Sequence, residues 1–109
     1  MTIITIIKSK TGEYKEVICK GHAGYADAGN DIVCSAVSML VINTLNSLEK
    51  LTDTQMEVVS NEDKGRIHCR FTKSPDESGT LLLDSMVLGL QHVVSQYDKR
   101  YLKLKFKEV

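Results

Sequence analysis

The feature that most constrains the fold of this 109-residue chain is a change of apolar period along it. Val33, Val37, Leu40, Val41, Thr44, Leu45 and Leu48 recur at three- and four-residue steps, which is one continuous stripe on a helix. Leu82, Met86, Leu90, Val93, Val94 and Tyr97 repeat the pattern further on. Between and around these stretches the apolar runs are short and β-branched. Residues 2–8 and 14–20 read as strands across the turn Ser9–Glu13, and residues 56–60 and 66–72 read as a second pair across Asn61–Gly65. In the latter pair Ile67, Cys69 and Phe71 face one way while His68 and Arg70 face the other. At the end, Leu102, Leu104 and Phe106 alternate with Lys103, Lys105 and Lys107, a half-buried strand whose lysines line a solvated face or guard an edge.

The boundaries carry their own signals. Asp31 is placed to cap the first helix, which runs to about Leu51. Ser74 and Glu77 have the spacing of a capping box, with Pro75 at the first helical position of the second helix. The element order is therefore ββαββαβ. It implies an α+β fold with one main β-sheet covered by two long helices, and residues 1–109 form a single domain without linkers or repeats.

Fourteen basic and fourteen acidic residues cancel, so the excess of Lys and Arg that drives phosphate binding is missing and no direct nucleic-acid partner is expected. The apolar start, residues 1–8, is too short for a secretory signal and has no basic segment before it. No stretch is expected to reach the length of a membrane span, so no membrane partner is predicted. Three cysteines, an odd number, point to free thiols in a reducing compartment, the cytoplasm.

Residues 21–31 hold three glycines and read as an irregular, mobile segment leading into the first helix. Cys34 then falls three residues after the expected cap, in the first turn. There the unpaired amides and the helix dipole stabilise a thiolate and can hold an oxyanion. His22, at the far end of the loop, is the side chain best suited to take the thiol proton near neutral pH. Ser38, one turn after Cys34, can hydrogen-bond the sulfur or a substrate. Asp31 can orient His22 or cap the helix, not both at once. Residue type and position alone leave a buried core cysteine as the competing reading of Cys34.

Other chemistries fit less well. Cys19 with His22, and His68 with Cys69, have ligand-like proximity. Yet Cys19, His68 and Cys69 lie within strands, and the adjacent His68 and Cys69 point to opposite faces, so neither a metal nor another cofactor is expected. A phosphate cradle is excluded because the loop lacks a lysine and carries Asp27 and Asp31. Cys19 and Cys69 read as core-facing strand residues, and His92 as a boundary residue of the second helix.

Gly21-His22-Ala23, followed after a short loop by Gly29-Asn30-Asp31-Ile32-Val33-Cys34-Ser35-Ala36-Val37-Ser38, closely resembles the ribosomal-processing cysteine protease family, Prp. Chain length and element order resemble the family from end to end. One departure is Ser35, where the family commonly has alanine. The resemblance implies a single cysteine protease domain acting as a cytoplasmic homodimer. It implies removal of the N-terminal extension of large-subunit ribosomal protein twenty-seven, a step in ribosome assembly, with the cut after an aromatic residue and before a small one. Carried over by position, Cys34 is the nucleophile, His22 its base, and Asp31 and Ser38 support the site. Gly21, Gly24, Tyr25 and Gly29 belong to the loop that admits the peptide and closes over it. A non-catalytic ribosome-associated module that binds a peptide along a sheet edge is the alternative reading.

Overall fold

The computed structural model describes residues 1–21, 28–61, 65–97 and 101–109, with residues 28–31 described by backbone alone. Its elements are β1 (Thr2–Lys8), β2 (Tyr14–Lys20), α1 (Ala28–Leu51), β3 (Met56–Asn61), β4 (Arg66–Phe71), α2 (Glu77–Gln96) and β5 (Leu102–Glu108). The expected order ββαββαβ holds, and the five strands form one sheet in the order β3-β4-β2-β1-β5. Pairing is antiparallel except between β1 and β5, which run parallel from Thr2↔Leu102 to Lys8↔Glu108. The final strand is thus an edge, one of the two readings its alternating lysines allow, and β3 is the other edge.

Register explains which residues fill the core. Ile4 lies opposite Cys19, Ile6 opposite Val17, and Val17 opposite Cys69, so these side chains share one face of the pleat. All are buried, together with Val33, Val37, Val41, Leu45 and Leu48 from α1 and Leu83, Met86 and Leu90 from α2. The opposite face carries His68, whose Nε2 is 2.6 Å from Glu16 Oε1, and Arg70, which donates to Glu57 at 2.7 Å. Both pairs are solvent-accessible, so each adds little to stability.

Four expectations are corrected here. The cap of α2 is Asp76, not Ser74: the Asp76 carboxylate accepts from the Gly79 amide at 2.9 Å, while the Ser74 hydroxyl donates to Glu13. Pro75 accordingly precedes the cap. The buried stripe of α2 is Gly79, Leu83, Met86 and Leu90, with Leu82, Val93 and Val94 at its margin and Tyr97 exposed. Two contacts set this rotation: Tyr14, fully buried, donates to Asp84 Oδ1 at 2.6 Å, and Gly89 leaves room for Leu40 of α1. Burial first, and the Asp84 carboxylate second, push the Tyr14 phenol well above its usual range, so it remains a donor.

The third correction concerns the start of α1, which begins at Ala28 and places Asp31 fourth in the helix rather than at its cap. Glycine is costly in a helix interior but far less so at its first residues, where Gly29 stands. The fourth concerns length. Residues Ile32–Leu51 are long and apolar enough, by length and composition, to cross a membrane. In the fold, however, Val33, Val37, Val41, Leu45 and Leu48 pack on the sheet, so the length serves a core helix.

Among the described glycines, Gly65, just before β4, has the closest backbone neighbour. Gly65 has φ +58°, and a Cβ there would lie 1.9 Å from the Gly21 carbonyl oxygen. Gly12 shares a positive φ, +86°, but faces open space. Gly65→Ala is therefore expected to lower the unfolding free energy by about 2 kcal/mol or more, and Gly12→Ala by less. Urea denaturation of the two variants checks this, and equal losses would show that the Gly21–Gly65 contact is not limiting.

Candidate active site

Strand β2 ends at Lys20 and is followed by Gly21, whose amide donates to the Gly65 carbonyl at 2.7 Å. Gly21 is buried, and a Cβ on it would sit 3.3 Å from Cys34 Sγ and 3.2 Å from Thr2 Oγ1. The end of β2 is therefore laid directly against the sulfur, and the missing side chain is what permits the approach.

Cys34 is only partly buried and opens into a cleft of about 470 Å³ between α1 and the helix-facing side of β3 and β4. The cleft follows one stripe of α1: Cys34, Ser38, Ile42, Asn46 and Glu49 all line it. This stripe lies one residue, about 100° of helical rotation, from the buried stripe 33-37-41-45-48. Opposite stand Met56 and Val58 from β3 and Ile67 from β4. The arrangement suits an extended peptide: a polar end at Cys34 and Ser38, and an apolar middle for bulky side chains.

The early start of α1 alters one expected feature. Cys34 is not in the first turn; with the helix starting at Ala28, its amide falls beyond the group of four that helices leave unpaired. The amides free to face an anion belong to the preceding turn.

The three thiols occupy distinct settings. Burial pushes Cys19 up to about 11, with the neighbouring Cys34 adding to the rise, and burial alone pushes Cys69 up to about 12. Cys69 also touches Met56, with Sγ and Sδ 3.7 Å apart. Cys19 is more than the core residue expected, because it also lines the cleft. Among the described residues no three His, Cys, Asp or Glu side chains converge as a metal site.

Of the residues singled out by sequence, the structure brings Gly21, Cys34 and Ser38 together at one end of the cleft. His22, Gly24 and Tyr25 lie outside the described residues, and Gly29 and Asp31 are described only as part of the backbone of α1. Gly65, Asn46, Glu49, Met56 and Val58 line the cleft and were not singled out. The helical step from Cys34 through Ser38 carried the signal for Asn46 and Glu49. Nothing local marks Met56 or Val58, which join the site only through strand pairing.

Comparison with known proteins bears on this arrangement. The family model described as cysteine protease Prp matches residues 1–103. The Ribosomal processing cysteine protease Prp of Staphylococcus aureus is 26% identical over 107 residues, covering 98% of this chain and 100% of that protein. The Bacillus subtilis protein of the same name is 28% identical over 81 residues, 71% of this chain and 72% of its own. Among solved structures, the essential ribosomal processing protease Prp of Staphylococcus aureus in complex with a substrate peptide superimposes with TM-score 0.91 at 25% identity, covering 98% of this chain and 100% of that one. The same enzyme with a covalently linked product peptide gives 0.86 at 26% identity over the same shares. A protein of Streptococcus mutans gives 0.87 at 31% identity, covering 100% of this chain and 96% of its own. The non-catalytic module is thereby set aside: a likeness spanning the sheet, both helices and the cysteine-lined cleft shows that this chain belongs to the cysteine protease Prp family.

Proposed function

We propose that this cysteine protease cuts its substrate with Cys34 as nucleophile and His22 as base, and that the substrate is the N-terminal extension of large-subunit ribosomal protein twenty-seven. The observation that carries the reading is the position of Cys34 Sγ, open to the cleft and in contact range of Gly21, the residue bonded to His22. The apolar middle of the cleft, with Ile42, Met56, Val58 and Ile67, supports a peptide whose bulky side chains precede the cut. The names of the relatives, which specify ribosomal processing and peptide complexes, support the substrate class.

The chemistry follows from the residues. His22 takes the Cys34 proton, the thiolate attacks the scissile carbonyl, and a tetrahedral oxyanion forms. The imidazolium gives its proton to the departing amine, leaving a thioester on Cys34. Water, deprotonated by His22, releases the acid and restores the thiol. Ser38 stands one turn along the cleft wall, where its hydroxyl can hydrogen-bond the sulfur or the peptide; the supporting role of Asp31 rests on the family motif alone. No cofactor takes part. Residues 1–109 act as one protease domain in the cytoplasm, consistent with three free thiols. The active form is a homodimer, for which Leu81 and Leu88, seven residues apart on one face of α2 and about 70% exposed, offer a contact.

Three measurements follow. Cys34→Ala lowers cleavage of an extended ribosomal-protein peptide by at least about a thousandfold, and His22→Ala by about a hundredfold or more, with circular dichroism unchanged. Retained cleavage in the folded Cys34 variant would refute the assignment. Iodoacetamide at pH 7.5 modifies Cys34 well before Cys19 or Cys69. Those two thiols stay protonated until the pH nears about 11 and 12, and peptide mapping by mass spectrometry reads the order. Leu81→Glu with Leu88→Glu shifts sedimentation from dimer to monomer. An unchanged dimer would move the interface elsewhere.

A further inference from the structure

The far end of the cleft has a chemical character that peptide hydrolysis does not require. Asn46 and Glu49 lie one turn apart on the face of α1 that lines the cleft. At about 1.5 Å per residue they stand about 18 and 22 Å along the helix axis from Cys34. Neither side chain has a hydrogen-bond or ion-pair partner among the described residues, and both are exposed to the cleft solvent. A carboxylate and an amide carbonyl are thus presented side by side beyond the apolar stretch of Ile42 and Leu45. Among the described residues the only other charged one lining the cleft is Arg66, which adjoins Gly65 at the Cys34 end. On the described lining, negative charge therefore stands at the end away from Cys34.

We propose that Asn46 and Glu49 form an ammonium-binding subsite, filled by a cationic group of the substrate peptide about five to seven residues to the N-terminal side of the cut. The proposal rests on the reading that the peptide lies extended in this cleft with its scissile bond at Cys34. The span from Cys34 to the pair, divided by the rise of an extended chain, sets the residue count. Two acceptors with no donor of their own on Glu49 select an N–H-bearing cation over a neutral or acidic group. The N-terminal side is favoured because that part of the peptide stays bonded to sulfur in the thioester. Binding energy spent there holds the intermediate in register while water attacks. Two sources supply the same chemistry: a lysine side chain, or the free α-amino group of a peptide that ends at this distance.

The test is a peptide walk. A single lysine is moved through positions three to nine on the N-terminal side of the cut and, in a second series, on the C-terminal side, in N-acetylated peptides otherwise free of cations. A third series lacks lysine and carries a free amino terminus at the same distances. The expected result is a KM about tenfold lower at five to seven residues on the N-terminal side than for glutamine there, with kcat little changed. Glu49→Gln removes that preference, and Glu49→Lys turns it toward a glutamate at the same position, which a merely structural role would not do. The acetylated and free-terminus series show which source is preferred. A flat walk, an optimum on the C-terminal side, or a preference that survives Glu49→Gln would overturn the proposal. The same preferences are read as affinity by fluorescence anisotropy on the Cys34→Ala protein. Absence of turnover would then count against the protease assignment alone, while the affinities decide the subsite.

Discussion

A single backbone contact fixes the Cys34 end of the cleft. The Gly21 amide meets the Gly65 carbonyl at 2.7 Å, while the Gly21 carbonyl lies where any side chain on Gly65 would have to be. This clamp extends the β2–β4 pairing, Lys20↔Arg66, by one more residue and brings the chain to the wall of α1. Gly21 then separates Cys34 Sγ from Thr2 Oγ1, with both atoms within 3.3 Å of the place its Cβ would occupy. Thr2 Oγ1 is buried without a hydrogen-bond partner among the described residues. The Cys34 end of the cleft is thus pinned by two glycines.

The cleft itself is a consequence of mismatch between layers. The sheet has five strands, but α2 runs beside β5 and α1 beside α2, so the helices are displaced toward one end. β3 and the outer side of β4 extend past α1, and the gap beneath becomes the cleft. One helix therefore performs two tasks with two stripes set about 100° apart. Residues 33, 37, 41, 45 and 48 anchor it to the sheet, and residues 34, 38, 42, 46 and 49 face the gap. Anchoring on one stripe is what gives the other a fixed orientation, because neither can rotate without the other.

This division also explains what could be read from residues alone. The strand alternation and the helical period of α1 are local, and β1, β2 and the end of α1 fall where those patterns predict. Cys34 and Ser38 were legible because a helical step of four joins them. The cap of α2 was misplaced because Ser74, Pro75 and Asp76 offer competing start signals, and only the Asp76 carboxylate reaches the Gly79 amide in the folded chain. The start of α1 was misplaced for a related reason, since three glycines and an aspartate suggest a loop and a cap, yet the helix runs back to Ala28. Met56, Val58 and Gly65 were invisible because their part in the site depends on which strands pair. On α2, Met86 and Leu90 are buried as the period predicts, while Leu83 rather than Leu82 is fully buried, because Tyr14, distant in sequence, holds that turn through Asp84.

The placement of sulfur completes the physical case. Cys19 and Cys34 line the same cleft, yet Cys19 projects from the middle of the sheet and is buried, while Cys34 stands at the margin of α1 and is partly open. In an apolar interior a thiolate loses its hydration without recompense, and Cys19 and Cys69 are accordingly held as thiols far above neutral pH. Only the sulfur of Cys34, at the boundary between core and cleft, is open to the cleft and to water. The stripe offset by one residue on α1 puts Cys34 at that boundary; a shift of one position toward Val33, which is fully buried, would place the same atom among aliphatic side chains.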